Sequence, residues 1–133
     1  MRVRHTNCGQ SVVELTITLP LLFLIIFGMV DFSLAYTTDM QIRNAVAEGG
    51  YFAAQHPGDS TGIRTQIRNE LRGLNPVITD DDISVNSCVS GSSGPQTEIT
   101  VTYSYHVLFG LAGSGPTITL RNGTTVPQFG GCN

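Results

Sequence analysis

The sequence predicts an α+β protein: a long N-terminal transmembrane helix that continues into a small extracytoplasmic domain, itself built from a second helix and a three-stranded, or slightly larger, antiparallel sheet. Three observations predict it. Ser11–Val30 reads SVVELTITLPLLFLIIFGMV, a predominantly apolar run. Ile63, Ile67 and Leu71 then recur at four-residue spacing, the period of one helix face. From Ile83 onward the apolar period changes to two, the signature of half-buried strands.

The apolar run has roughly the 20 residues that a helix needs to cross the hydrocarbon core of a bilayer. Arg2, Arg4 and His5 precede it without an acid, and Asp31 and Asp39 follow it. This asymmetry predicts a cytoplasmic N-terminus, with the remainder outside. In lipid the segment can only be helical, so Pro20 is expected to bend it without ending it. No proline falls between Leu34 and Ala54, and the helix is expected to run on to about His56, where Pro57 and Gly58 stop it. The predicted organisation is a basic cytoplasmic leader over residues 1–9, the span and its extension over 10–56, and a small extracytoplasmic α+β domain over 57–133.

Small residues cluster late in this helix: Ala45, Ala47, Gly49, Gly50, Ala53 and Ala54. They let another backbone approach closely, and packing within the molecule is preferred to packing on a partner helix. Gly49-Gly50 is also expected to loosen the helix, at about 1 kcal/mol per glycine relative to alanine. Asp59 or Ser60 can cap the second helix, with Gly73 and Pro76 ending it. Ile83 and Val85 mark a first strand. Ile99, Val101, Tyr103, Tyr105 and Val107 mark the clearest one, and Thr117–Arg121 a third, with Ile118 and Leu120 on one side. Ser90–Pro95 and Gly113–Pro116 read as turns. The apolar stretch Val107–Leu111 reads as a loop tucked against the first helix in preference to a docking tip.

Composition excludes several function classes. Charged residues make up 13% of the 133 residues and the net charge is -3, so no basic field exists to hold a phosphate backbone, and nucleic acid is not expected as a partner. Cys8, Cys88 and Cys132 are too far apart for a zinc knuckle or a redox CxxC pair. Asp80, Asp81 and Asp82 lack the alternating ligand spacing and turn glycine of a calcium loop, and read as a solvated turn. His5, His56 and His106 stand in a leader, at a helix end and on the polar face of a strand, with no nucleophile and acid grouped around them. Neither catalysis, nor a metal, nor a cofactor, nor a small-molecule substrate is expected. Asn122-Gly123-Thr124 is a formal glycosylation sequon. Outside the cytoplasm, Cys88 and Cys132 can oxidise to a disulfide that closes a loop of about 45 residues, worth roughly 4 kcal/mol by chain entropy, with free thiols the alternative. Cys8 falls in the leader and does not compete.

Glu14 does not fit a bland anchor. A carboxylate at the bilayer centre costs about 2.5–3.5 kcal/mol, less toward a helix end, where it can reach water. Its context is Gly9, Gln10, Ser11, Val12, Val13, Glu14 and Leu15, directly after a basic leader. This arrangement resembles the prepilin-peptidase site of type IV pilins and of the tight-adherence (Tad) pseudopilins. The resemblance implies cleavage between Gly9 and Gln10, with Glu14 as the recognition and assembly acid. Physically, a new ammonium at Gln10 would lie one helical turn from Glu14 and offset its desolvation. Gln10 itself stands where ordinary pilins carry a bulky apolar residue.

A second stretch, DFSLAYTTDMQIRNAVAEGGYFAAQHP, is similar to the TadE-like pattern. Arg43, Asn44, Ala45, Glu48, Gly49, Phe52, Ala53 and Ala54 carry that similarity, while Ala47 and Tyr51 stand where many relatives have arginine. The resemblance to the TadE-like family implies a pilin-like fold and a pseudopilin of the bacterial inner membrane. It further implies processing by a prepilin peptidase and a part in assembly or secretion of a Tad/Flp-type adhesive pilus. The implied partners are the membrane, the peptidase and other pilus-assembly subunits. The alternative is a small secreted or tethered binding domain unrelated to pili, released near Ser33-Leu34-Ala35, although the apolar region is longer than a usual signal-peptide core.

Overall fold

One helix, α1 (Cys8–Gln55), supplies 48 residues and a length of about 72 Å. It is the spine of the computed structural model, which describes residues 8–91, 94–108 and 117–128. α1 continues through Pro20 and through Gly49-Gly50, and it stops one residue before His56, where Pro57 cannot propagate the ladder. Gly58, at φ +90°, then turns the chain back.

The second helix, α2 (Ser60–Glu70), is capped by Asp59, whose carboxylate accepts from the Gly62 N–H at 2.8 Å. It ends earlier than Gly73, at a last turn closed by Leu71 N–H to the Ile67 carbonyl. Ile63, Ile67 and Leu71 are buried, as their spacing predicts. A single 3-10 turn, Asp80–Asp82, leads into the sheet.

The sheet has three antiparallel strands in the order β1 (Ile83–Gly91), β2 (Gly94–His106) and β3 (Thr117–Pro127). Alternation decides its faces. Thr97, Ile99, Val101, Tyr103 and Tyr105 of β2 are buried, whereas Glu98, Ser104 and His106 point to the open face. β3 runs past Arg121 to Pro127, further than its apolar pair Ile118 and Leu120 suggests, because its second half is held by pairing with β2 and carries Asn and Thr toward the helix. Both helices lie on the same side of the sheet, α1 over β2 and β3 and α2 over β1. The core between the layers joins Ile42, Val46 and Ala53 of α1 with Ile63 and Ile67 of α2 and Ile83, Ile99 and Val101 of the sheet. This is the α+β layering that the sequence predicts.

Candidate membrane anchor and assembly surface

α1 contains two different kinds of surface. From Gln10 to Val30 every residue is exposed. Its most apolar 18-residue window has a mean hydropathy of 2.3 with none of it buried, and among the described residues this is the one helix long and apolar enough to cross a membrane. Two threonine hydroxyls in that stretch are satisfied locally. The hydroxyls of Thr16 and Thr18 donate to the Val12 and Glu14 carbonyls at 2.7 and 2.8 Å. Glu14 is exposed and lies one turn beyond Gln10 on the helix. Seventeen helical steps separate Glu14 from Asp31, about 25 Å, so the two acids bracket a length close to the hydrocarbon core.

Beyond Val30 the helix acquires an inside and an outside. Asp31, Thr38, Ile42, Ala45, Val46, Gly49, Gly50 and Ala53 are buried, at the spacing of one face. Gly49 and Gly50 are where other elements come closest. A Cβ at Gly49 would meet the Ile67 side chain at 2.6 Å, and one at Gly50 would meet Thr124 at 3.1 Å and Val126 at 3.3 Å. One glycine therefore admits α2 and the next admits β3. The expectation that the small residues pack within the molecule holds for Ala45, Gly49, Gly50 and Ala53, whereas Ala47 and Ala54 are exposed. The stretch that carries the resemblance thus divides in two. Ala45, Gly49 and Ala53 serve the fold, while Arg43, Asn44, Glu48 and Ala54 line the outside with Ala47 and Tyr51.

Residues 9–50 match the TadE-like protein family. The match begins at Gly9 and spans the apolar run and the first part of the packed half of α1. No curated protein and no solved structure gave a significant match to the chain. Phe52, Ala53 and Ala54, part of the sequence resemblance, fall just beyond the matched TadE-like segment.

Two carboxylates of α1 tie this helix to the sheet. Asp31 is buried and accepts from the main-chain N–H of Leu108 at 3.0 Å, just after β2. Asp39 accepts from the Asn122 side-chain amide at 2.7 Å and from Arg43 at 2.7 Å. The hydrogen bond from Asn122, and then that from Arg43, hold the Asp39 carboxyl below its ordinary value. Near Asp31, burial and then the Asp31 charge push the Tyr105 phenol up, and its hydroxyl is buried without a hydrogen-bond partner among the described residues. The sequon asparagine is therefore a tie between β3 and α1.

The remaining candidates fall into place in the same way. Asp80–Asp82 is an exposed turn before β1, with the Asp80 carboxylate held by Arg68 and Asp82 capping Thr79 at 2.7–2.8 Å. His56 stacks on Phe52 at the end of α1, His106 lies on the open face of β2, and His5 is outside the described residues. Val107 is half-buried against the core, consistent with a tucked loop, but Leu108 is exposed, and Phe109–Leu111 lie outside the described residues. Cys88 is disulfide-bonded. It sits at φ 63° in a bulge of β1, where Asn86 pairs with Glu98 and Val89 with Gln96, so that Ser87 and Cys88 share the single position Thr97. Cys132 and the side chain of Cys8 lie outside the described residues.

Proposed function

We propose that the chain is a membrane-anchored pseudopilin that takes part in assembly or secretion of a Tad/Flp-type adhesive pilus. The observation that carries this reading is a TadE-like match that begins at Gly9 and runs through the apolar span into the packed part of the same helix. A prepilin peptidase cuts between Gly9 and Gln10, leaving Glu14 one turn from the new amine. The N-terminus faces the cytoplasm, the sheet and α2 lie outside the bacterial inner membrane, and Cys88 pairs with Cys132 there. The partners are the peptidase and other pilus-assembly subunits, which meet the outward residues of α1. The cationic contact that arginines would supply at Ala47 and Tyr51 is replaced here by small and aromatic surface.

Release near Ser33-Leu34-Ala35 fits this structure poorly. A cut there would detach Asp31 from Leu108 and begin the released domain inside a continuous helix whose next residues form the core. N-terminal sequencing of the membrane-extracted protein from cells carrying the peptidase tests the reading. Gln10 is expected as the first residue; Tyr36 would overturn it in favour of secretion, and Met1 would leave a plain anchor. Gly9→Leu is expected to abolish processing. Glu14→Ala is expected to reduce surface fibres at least tenfold, because the desolvated acid–amine pair is lost (about 1.4 kcal/mol per tenfold).

A further inference from the structure

The Asp31–Leu108 bond fixes the height of the sheet relative to the span. Asp31 follows the last residue of the fully exposed apolar stretch, and its carboxylate holds the Leu108 N–H at 3.0 Å. Whatever plane the span leaves the bilayer in, Leu108 is therefore in it. The Leu108 side chain is 67% exposed, and Ile118, whose register partner is Tyr105 two residues before Val107, is 44% exposed. On α1 at the same height, Phe32 is 74% exposed and stacks on Tyr36, which is 54% exposed. Leu108 is tied to Asp31, Phe32 follows Asp31 directly on the helix with Tyr36 one turn on, and Ile118 pairs with the end of β2 that leads to Leu108, so exposed apolar side chains lie at the end of the domain next to the fully exposed apolar stretch. The opposite end of the sheet is different. β2 begins there with Gly94, Pro95 and Gln96, paired to Gly91, Ser90 and Val89 of β1.

We propose that this end of the domain is a bilayer-seating surface: Leu108 and Ile118 enter the headgroup layer beside Phe32 and Tyr36, so that the sheet rests on the membrane from which α1 emerges. The chemistry fits. Aromatic rings with a polar edge favour the interface, and aliphatic side chains gain by leaving water there. The Leu108 N–H is satisfied by the Asp31 carboxylate, so Leu108 reaches the layer with that donor already paired. Asp31 acts as a positioning residue, since it sets the height of Leu108 and does not itself meet lipid. The seat also fixes the direction in which the outward residues of α1 are presented, because the domain cannot tilt freely about the end of the span. This inference rests on the reading of α1 as a membrane anchor.

The chain contains no tryptophan, so single-tryptophan variants of the full-length protein report depth without background. The variants Phe23→Trp, Leu108→Trp, Ile118→Trp and Tyr51→Trp are reconstituted in phosphatidylethanolamine–phosphatidylglycerol vesicles with lipids brominated high on the acyl chain, or near its methyl end for Phe23→Trp, which lies at mid-span. Phe23→Trp reports the span itself. Tyr51→Trp lies twenty helical steps beyond Asp31, about 30 Å from the surface, and serves as the wet reference. Leu108→Trp is expected to show blue-shifted emission, about twofold quenching by the brominated lipid and protection from iodide, as for an interfacial indole. Ile118→Trp is expected to repeat this from the neighbouring strand should Leu108→Trp fail to fold. Asp31→Ala in the Leu108→Trp protein is expected to weaken the lipid quenching, whereas Asp31→Asn, which keeps an acceptor oxygen, preserves it. Iodide quenching without lipid quenching at both Leu108→Trp and Ile118→Trp, with Phe23→Trp quenched by lipid, overturns the seat and leaves the anchor standing. Loss of lipid quenching at Phe23→Trp overturns both.

Discussion

Residues 10–30 and residues 31–53 belong to one uninterrupted helix, yet they are built for different solvents. The first stretch is exposed throughout and apolar on all sides. The second buries one face and leaves Phe32, Arg43, Ala47 and Tyr51 outside. In the second stretch side-chain size is set by neighbours; in the first no packed neighbour sets it. Tolerance to substitution should therefore differ sharply between matched positions of the same helix and the domain it supports.

The widest gap is expected between core and span isoleucines. Ile67 of α2 is fully buried beside Gly49, and Ile67→Ala should destabilise the domain by about 2–5 kcal/mol through lost burial and an unfilled cavity. Ile25, 46% exposed in the span, has no tertiary packing to lose, and Ile25→Ala should leave domain stability within about 0.5 kcal/mol. Chemical denaturation followed by the near-UV tyrosine signal of the buried Tyr103 and Tyr105 measures both. Equal effects would mean that the apolar span and the domain share one folding unit.

Two glycines sharpen the same contrast at smaller amplitude. A Cβ at Gly28 meets nothing within 4 Å, whereas one at Gly49 meets Ile67 at 2.6 Å. With two Ile67 side-chain atoms at 2.6 and 2.7 Å from the added Cβ, Gly49→Ala sets an overpacking cost of about 2–3 kcal/mol against a helix-propensity gain near 1 kcal/mol, for a net loss of about 1–2 kcal/mol in unfolding free energy. Gly28→Ala keeps only the gain. A Gly49→Ala protein as stable as the parent would show that α2 stands further from α1 than the structure places it.

Most of this architecture was legible in the sequence because period and length encode it directly. The twenty-residue apolar run, the four-residue recurrence in α2 and the alternation in β2 each describe a face, and a face is what packs. The second half of β3 was not legible. Asn122-Gly123-Thr124-Thr125 has no apolar alternation, and it is a strand because β2 pairs with it and Asp39 takes the Asn122 amide. The role of Gly49-Gly50 was half legible: small residues signal close approach, but which element approaches each glycine depends on tertiary placement. Asp31 and Asp39 were visible only as negative charges, since a hydrogen bond across more than seventy residues leaves no local trace. Gly9, Gln10 and Glu14 were singled out by motif alone.

Asp39 offers the finest test of where the packed half of α1 meets the sheet. The amide of Asn122, and then the guanidinium of Arg43, lower its pKa in the folded protein. A lowered folded-state value means that the carboxylate contributes stability fully above the ordinary aspartate range, near 3.9, and loses it as pH falls through the lower folded value. Acidification from pH 5 to about 3 should therefore lower the denaturation midpoint of the parent more than that of Asp39→Asn, which keeps an acceptor for the Asn122 amide but cannot change charge. Asn122→Ala should cost about 1 kcal/mol at neutral pH and shrink this acid sensitivity. Arg43→Ala, which removes an exposed pair one helical turn away, should cost only about 0.3–0.5 kcal/mol. If Arg43→Ala proved the larger of the two, Asp39 would be serving the helix surface more than the joint with β3, and the division between packed and outward faces would have to be redrawn at this turn.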